Sequence, residues 1–300
     1  VWATQDEWLA LRGGRIGASD APIICGVSRF ESAFSLYHQK VATLEEEADD
    51  RAAREENLYW GRALEVPIID RFGAVHHWPV YLEPKITTHL WKLNPAIVAS
   101  LDAVTLPVEG GVFVPLEVKN VSGWFADEWE DAVPIYYQVQ CQHQMMVTGT
   151  TRDYVAALIG GNRFKWGLVE RDDAFIELML AAELEFLGRL ERRQPPDVDG
   201  SKETRAFLHR LYPKDTGRMI ELPPEAIDWD AEQRRGKQME KDAGAIIMNA
   251  ENHLKNVLGD ASVGTLVNGV QFSWKWQRRE EFITKASEFR VLRRSDKGKK

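Results

Sequence analysis

The stretch VPLEVKN, residues 114–120, combines an apolar strand pattern with one acid and one base. Because side chains alternate faces along a β-strand, Glu117 and Lys119 point to one side and Leu116 and Val118 to the other. One face of this predicted strand is therefore suited to a hydrophobic core. The other face holds either an ordinary exposed ion pair or part of a site that binds a metal, a water or a substrate.

A second carboxylate precedes this strand. Asp102, in the segment ASLDAV, lies 15 positions before Glu117, and Gly110–Gly111 predicts a hairpin between the two. This hairpin would place Asp102 on the neighbouring strand, within reach of Glu117 and Lys119. Carboxylate oxygens suit Mg²⁺ or Mn²⁺, and an adjacent lysine can orient an attacking water or accept its proton. Hydrolysis of a phosphodiester needs these parts.

Two helical segments add candidates for the same site. In LYWGRALEVPIIDRF, residues 58–72, Glu65 shares a predicted helix face with apolar residues and needs a partner, which is a metal, a buried arginine or a helix cap. Pro67 predicts that this helix starts late or bends. In the predicted helix 132–149, Gln140 can donate to a phosphate oxygen, or it is simply solvated.

The segment WLALRGGRIGASDAPIICGVSRF, residues 8–30, has the parts of a phosphate pocket. Ser19 or Asp20 is a natural N-cap, and Pro22 fits the first helical turn. Free N–H groups at a helix start and nearby arginines bind phosphate well, although a capped helix with surface arginines is the alternative. The arginines are Arg12, Arg15 and Arg29.

The order of predicted elements indicates an α/β fold with a mixed sheet. Helical residues 4–40, with a glycine-rich break, and a charged loop or exposed helix at 41–56 precede the helix at 58–72. Strands follow at about 79–90, 96–106 and 111–120, then the helix 132–149, two more strands and a long helix at 173–193. After the linker QPPDVDG come a charged helix near 224–257 and a hairpin, for which Asn268–Gly269 predicts a type I′ turn.

Composition narrows the class of protein. The 300 residues are 44% hydrophobic, no apolar run approaches the length of a transmembrane helix, and VWATQDEW has no signal-peptide pattern. Two cysteines exclude a disulfide framework and a four-cysteine iron–sulfur site, so we expect a cytoplasmic protein. The net charge is −8, yet residues 275–300 carry 10 bases against 4 acids. This basic tail either binds a polyanion or is solvated.

Five segments together resemble the phage-type alkaline exonucleases, the lambda exonuclease and YqaJ-like viral recombinase family of the PD-(D/E)xK nuclease superfamily. They occur in the family's order over residues 8–195, and the tail FSWKWQRREEFITKASEFRVLRR is similar to the YqaJ-like branch. The segments are WLALRGGRIGASDAPIICG, YWGRALEVPIIDRF, ASLDAV, LEVK and YYQVQCQHQMMVTG.

The resemblance implies a restriction-endonuclease-like α/β core with a central mixed sheet flanked by helices, and a role for each matched residue. Asp102, Glu117, Glu65 and the carbonyl of Val118 would bind two Mg²⁺ or Mn²⁺ ions. Lys119 would lie beside the attacking water, and Gln140 near the metal and terminal phosphate. The 5′-phosphate pocket would consist of Arg12, Ser19 and Arg29, with Arg15 as a weaker candidate.

The resemblance also implies an activity and partners. The family digests one strand of linear duplex DNA from 5′ to 3′, leaves a 3′ overhang and works with a single-strand annealing protein; its best-known members are ring-shaped trimers. We therefore expect an exonuclease domain at 1–195 and an accessory region at 196–300. Leu101-Asp102-Ala103 stands where the family often has Pro-Asp-Gly, which changes the turn but keeps the ligand.

Three alternatives remain at this point. The chain is an endonuclease of the same superfamily, a DNA-binding module with an inactive nuclease fold, or a helical scaffold whose tail binds a partner protein. The last leaves the acid–base strand unexplained.

Overall fold

The computed structural model describes residues 14–41, 48–82, 88–107, 111–278 and 290–294, with the backbone alone for residues 48–54 and 88. The chain divides into two compact units, Val1–Tyr212 and Pro213–Lys300. No helix of the described residues is long and apolar enough to cross a membrane.

A five-stranded mixed sheet forms the centre of the first unit. Its order is β2-β5-β6-β7-β8, in which β6 and β7 are parallel and the other neighbours antiparallel. The predicted α/β core with a central mixed sheet flanked by helices is therefore confirmed. The strands are β2 Val80–Leu82, β5 Ala103–Thr105, β6 Val114–Val121, β7 Arg152–Ile159 and β8 Arg163–Glu170.

A second, three-stranded sheet has the order β1-β4-β3. Its strands are β1 Ile16–Gly17, β3 Thr88–Trp91 and β4 Asn94–Ser100. The prediction of one strand over 96–106 is wrong, because the chain leaves this sheet after Ser100 and enters the other at Ala103. The predicted strand at 79–90 is likewise two strands, β2 and β3, in different sheets; residues 83–87 lie outside the described residues.

Helix α4, Ile135–Thr148, packs between the two sheets, against β7 on one side and β3 and β4 on the other. Buried residues on its two sides, Cys141 and Met145 against Val139 and Met146, belong to separate hydrophobic clusters. It ends at Gly149, whose φ of +77° is the left-handed cap conformation that glycine favours. The helix predicted over 132–149 is thus confirmed, and both of its sides are fixed in position.

The described part of the first unit contains five other α-helices. They are α1 Ala21–Ile24, α2 Ala33–Lys40, α3 Ala48–His76 and α5 Asp173–Arg192 before the boundary at 195, with α6 Lys202–Leu211 after it. Helix α3 continues through Pro67, and the expected late start is wrong. Proline removes the hydrogen bond to the carbonyl of Ala63, but both residues are exposed, so water can bind that carbonyl.

The segment before α3 is less helical than predicted over 4–40. Its described part holds β1, the single turn α1 and the two-turn α2, and residues 1–13 lie outside the described residues. Asp20 occupies the N-cap position of α1 without a side-chain cap, because its Oδ2 accepts from the N–H of Gly17 at 2.8 Å and pairs with Lys40 at 2.7 Å.

Residues 196–212, assigned from the sequence to the accessory region, pack with the first unit in the structure. Phe207 of α6 is fully buried, with its ring 5.8 Å from that of Phe34. The hydroxyl of Thr204 donates to Ser32 Oγ at 2.7 Å. These contacts join α6 to α2 across the proline-rich linker.

The second unit contains α7 Ala226–Leu258 and a hairpin of β9 Val263–Thr265 and β10 Gln271–Ser273. The helix and the hairpin confirm the predicted extension. The type I′ turn is wrong, since Gly269 has a φ of +86° but Asn268 has no positive φ. Leu266 accepts from the N–H of Gly269 and donates its own N–H to Val270, which gives a three-residue loop.

Candidate active site

The antiparallel pairing of β5 with β6 places Asp102, the residue directly before β5, opposite the middle of β6. Ala103 pairs with Leu116, so Asp102 stands at the level of Glu117. The main-chain N–H of Val118 donates to Asp102 Oδ2 at 2.9 Å. Because the N–H and C=O of one strand residue point to the same side, the Val118 carbonyl also faces the Asp102 strand. The structure therefore brings Asp102, Glu117 and Val118 together.

Glu117 and Lys119 lie on the face of β6 that α4 covers. Lys119 Nζ is 2.5 Å from Glu117 Oε1, and the Glu117 side chain is almost completely buried. Gln140 of α4 donates from Nε2 to the same Glu117 oxygen at 2.7 Å and accepts from Lys119 at 3.1 Å. The three side chains predicted from the sequence form one hydrogen-bonded triangle.

The sequence analysis missed Gln144, which holds the other oxygen of the same carboxylate. Its Nε2 donates to Glu117 Oε2 at 2.6 Å, and the residue is 1% exposed. The available signal was its position one helical turn after Gln140, which places both amides on the same side of the helix. Glu117 therefore has an amide donor on each oxygen, and its orientation is fixed by α4.

Tyr137 and Asp153, also absent from the predictions, surround this triangle. The Lys119 ammonium lies 5.0 Å from the centre of the Tyr137 ring, a cation–π distance. Asp153 of β7 is fully buried, and burial, followed by the charge of Glu117, raises its pKa well above the usual range. A carboxyl group that favours its neutral form thus lies within electrostatic range of Glu117.

The charges of the site act strongly on Asp102 and Lys119. Burial first, then the charge of Glu117, raises the pKa of Asp102 to about 7, against smaller opposing effects of Lys119 and the Val118 N–H. Burial lowers the pKa of Lys119, but the charges of Glu117 and Asp102 outweigh it, and the net direction is upward. In this field Lys119 remains an ammonium group, so it is suited to orienting a water rather than to accepting its proton.

Glu65 lies on α3 and is half-buried. Its charge contributes to the raised pKa of Asp102, so the two carboxylates are within electrostatic range of each other. Ile68, Ile69 and Phe72, on the predicted apolar face of the same helix, are buried. The helix therefore presents Glu65 at the edge of its core-facing side, towards the Asp102 region.

Arg29 lies near the triangle. Its guanidinium forms an ion pair with Glu128 and stacks 3.9 Å from the centre of the Phe125 ring. Burial raises the pKa of Tyr137, and the charges of Lys119 and Arg29 both oppose this rise. Arg29 and Lys119 are thus two cations within electrostatic range of one tyrosine.

Two other residues of the predicted phosphate pocket are described: Ser19 in the turn between β1 and α1, and Arg15 directly before β1. Ser19 is exposed, and Arg15 is half-buried, with its carbonyl accepting from Lys40 Nζ at 2.7 Å. Helix α1 packs against α4, the helix that carries Gln140. Arg12 lies outside the described residues.

The oxygen donors of the site fit a hard divalent cation. Within the described residues, no three or more His, Cys, Asp or Glu side chains form a group that could hold a metal ion by itself. Asp102 and Glu117 nevertheless place two carboxylates together, and their mutual repulsion is visible in the raised pKa of Asp102. A cation between them would relieve this repulsion, with the Val118 carbonyl as a further oxygen.

Comparison with known proteins gives the family of this arrangement. Residues 7–151 match the family described as the YqaJ-like viral recombinase domain. The uncharacterized protein YqaJ of Bacillus subtilis strain 168 is 31% identical over 277 residues, which cover 91% of this chain and 83% of that protein.

Two solved structures are also similar. An alkaline exonuclease, LHK-Exo, from Laribacter hongkongensis is 22% identical with a TM-score of 0.49, over 63% of this chain and 94% of that chain. A phage-related exonuclease from Haemophilus somnus 129PT is 11% identical with a TM-score of 0.43, over 60% of this chain and 96% of that chain.

Proposed function

Because the chain belongs to the YqaJ-like viral recombinase family, we propose that it is a metal-dependent exodeoxyribonuclease that acts in recombination of the phage type. The observation that carries the proposal is the triangle of Glu117, Lys119 and Gln140 beside Asp102. Its carboxylates, ammonium and amides are the groups that phosphodiester hydrolysis requires in one place. The similarity of the chain to structures named as exonucleases is consistent with this proposal.

The proposed metal is Mg²⁺ or Mn²⁺, with two ions in each active site. Asp102, Glu117, the Val118 carbonyl and Glu65 would hold them. When bound, the metal supplies neutralisation of phosphate charge and a lowered pKa for a bound water.

The chain's own residues would perform the remaining tasks. Gln140 and Gln144 fix the Glu117 carboxylate, so it needs little reorganisation when a ligand binds. Lys119 would orient the attacking water and stabilise negative charge that develops on the phosphate. The Val118 N–H would keep Asp102 in place through its hydrogen bond to Oδ2.

The proposed substrate is linear double-stranded DNA, degraded from a 5′ end to leave 3′ single-stranded overhangs. Arg12, Ser19 and Arg29, with Arg15 as the weaker candidate, would bind the terminal 5′-phosphate. A pocket that recognises a terminal charge rather than base edges has little sequence preference. A single-strand annealing protein would use the overhang, and the active form would be a ring-shaped homotrimer.

One gel experiment tests the activity. The full chain is incubated with Mg²⁺ or with a chelator on three DNAs: linear with a 5′-phosphate, linear without one, and covalently closed circular. We expect degradation of the linear DNA in Mg²⁺ only, fastest with the 5′-phosphate, and an intact circle. Labels at the 5′ or the 3′ end of one strand then give the polarity of degradation. Release of the 3′ label before the 5′ label would contradict the proposed direction.

Two other functions remain distinguishable by the same experiment. Cleavage of the closed circle would indicate an endonuclease. DNA binding without release of nucleotides in Mg²⁺ or Mn²⁺ would indicate an inactive DNA-binding module. The intact triangle argues against the inactive module, because a fold that only binds DNA has no need for a carboxylate with two amide donors.

A further inference from the structure

An aromatic and basic segment extends from the hairpin of the second unit. The ladder continues one residue beyond β10, since the Trp274 N–H donates to the Ser262 carbonyl at 3.0 Å. Phe272 and Trp274 share a face of this strand, and Trp276 follows at the same spacing. Their exposed fractions rise along the segment, from 38% at Phe272 to 51% at Trp274 and 87% at Trp276.

The two tryptophans are unusual for a surface hairpin. Exposed tryptophan adds little to the stability of its own fold, because most of its apolar surface remains in water. Each ring does, however, offer a flat face to a flat partner.

The charge of the segment selects the kind of partner. Lys275 separates the two tryptophans and Arg278 follows them, and both are exposed. Residues 271–278 contain no aspartate or glutamate. Arg290 and Arg293, in the second described piece of this tail, are exposed as well. A basic surface of this kind is complementary to a polyanion. It is not complementary to a protein surface that carries both acidic and basic residues.

Exposed rings between basic side chains match the requirements of single-stranded nucleic acid. Unpaired bases can stack on aromatic rings while lysine and arginine contact the phosphates, whereas the bases of a duplex are already stacked on one another. We propose that Trp274 and Trp276, with Lys275 and Arg278, form a binding site for single-stranded DNA. All four residues belong to the second unit, and binding at this site does not depend on nuclease activity.

Fluorescence anisotropy of a labelled oligodeoxythymidylate tests the proposal with the full chain in a chelator, where no metal-dependent cleavage occurs. We expect the Trp274→Ala/Trp276→Ala variant to bind about 10- to 100-fold more weakly than the unchanged chain, from the stacking contribution of each ring. Trp274→Phe/Trp276→Phe keeps a ring at both positions and should retain most of the affinity. Lys275→Glu/Arg278→Glu should weaken binding and reduce its dependence on salt.

Trp229→Ala is the matched control, since this exposed tryptophan lies on α7 of the same unit, away from the hairpin in sequence. Its affinity should not change. If the Trp274→Ala/Trp276→Ala variant, the alanine pair, binds the oligonucleotide as tightly as the unchanged chain, the proposal is overturned. It is also overturned if Trp229→Ala loses as much affinity as the alanine pair. Tighter binding to duplex than to single strands, lost in the alanine pair, would also overturn it. If sedimentation shows that the tryptophans join two copies of the chain, the occupant is a protein and the proposal is wrong.

Discussion

Val118 donates its main-chain N–H to Asp102 Oδ2 at 2.9 Å, so the strand that carries Glu117 and Lys119 also fixes the aspartate. This bond does not depend on a metal. The carboxylates are therefore held together before a ligand arrives, and their mutual repulsion is already present in the fold. Such preorganisation favours binding of a cation and disfavours the ionised site without one.

Replacement of Asp102 by asparagine is expected to stabilise the metal-free protein while removing activity. The folded-state pKa of about 7 exceeds the ordinary value of 3.8, so the folded state holds more protons between these values and its stability falls as pH rises through this window. In Asp102→Asn this loss disappears, and we expect a gain of roughly 1–3 kcal/mol at pH 8 that vanishes towards pH 4. Urea unfolding in chelator at several pH values measures it.

Asp131→Asn, at an exposed position, is the control for that comparison. Added Mg²⁺ should raise the stability of the unchanged chain and of this control, but not of Asp102→Asn. Equal stabilities of Asp102→Asn and the unchanged chain at pH 8 would show that ionisation of Asp102 does not destabilise the fold.

Lys119→Ala is expected to bind DNA and fail to cut it. The ammonium contacts Glu117 and Gln140, and each Glu117 oxygen keeps an amide donor when the ammonium is removed, so the fold should survive the change. We expect the cleavage rate to fall at least about 100-fold, as when one preorganised charge-stabilising group is removed. Nucleotide release and anisotropy on the same duplex separate cleavage from binding. Lys165→Ala, which removes another half-buried amine of the same sheet, is the control, and full activity of Lys119→Ala would exclude the lysine from the mechanism.

Gln144→Leu is expected to weaken the metal site without removing a proposed ligand. The change deletes the donor to Glu117 Oε2 and leaves the carboxylate free to rotate. Outer partners of metal ligands typically contribute 10–100-fold in affinity, so the Mg²⁺ concentration for half-maximal activity should rise by about that factor. Gln142→Leu is matched in helix and burial, but its amide contacts the Glu170 carbonyl and the Asp172 N–H. The same Mg²⁺ requirement in both variants would mean that Gln144 has only a structural role.

Arg29→Ala is expected to remove the preference for 5′-phosphorylated ends. Glu128 competes for the guanidinium in the structure, so a phosphate must displace it or share the arginine with it. Glu128→Gln weakens this competition and should keep or strengthen the preference. Initial rates on linear duplexes with and without a 5′-phosphate give the ratio for each variant. An unchanged ratio in Arg29→Ala would remove this arginine from the proposed pocket.

Local patterns in the sequence were enough to predict that Asp102, Glu117 and Lys119 lie in one region. The two-residue alternation in LEVK predicts Glu117 and Lys119 on one face, and the hairpin predicted from Gly110–Gly111 brings Asp102 beside them. What local patterns could not show is which side chains meet across long sequence separations. Arg29 and Glu128 are 99 positions apart, and Gln144 reaches Glu117 only because α4 is held between two sheets. The division of the strand around Leu101 and Asp102 likewise depends on tertiary pairing, since no glycine or proline in AIVASLDAVTL marks a break.

The buried pair of His143 and Glu183, unlike the pair of Lys119 and Glu117, should contribute to stability rather than to catalysis. His143 Nδ1 lies 2.7 Å from Glu183 Oε1, and Nε2 lies 2.9 Å from the Val98 carbonyl, with both side chains fully buried. The carbonyl can only accept, so Nε2 carries a proton. Burial lowers the pKa of His143, but the charge and hydrogen bond of Glu183 outweigh it and raise the pKa overall. An imidazolium–carboxylate pair therefore joins α4 to α5 and β4.

Replacing one partner of this pair should lower the free energy of unfolding more than replacing both. Glu183→Leu leaves a buried imidazole with no partner on Nδ1 and is expected to lower the free energy of unfolding by about 3–5 kcal/mol, whereas His143→Leu/Glu183→Leu should recover part of that loss. The pair's contribution is complete below the unfolded pKa of about 6.5 and declines as pH rises through the higher folded value. Urea unfolding across this pH range measures both effects. A double variant as unstable as Glu183→Leu, or stability independent of pH in the unchanged chain, would show that the pair is neutral.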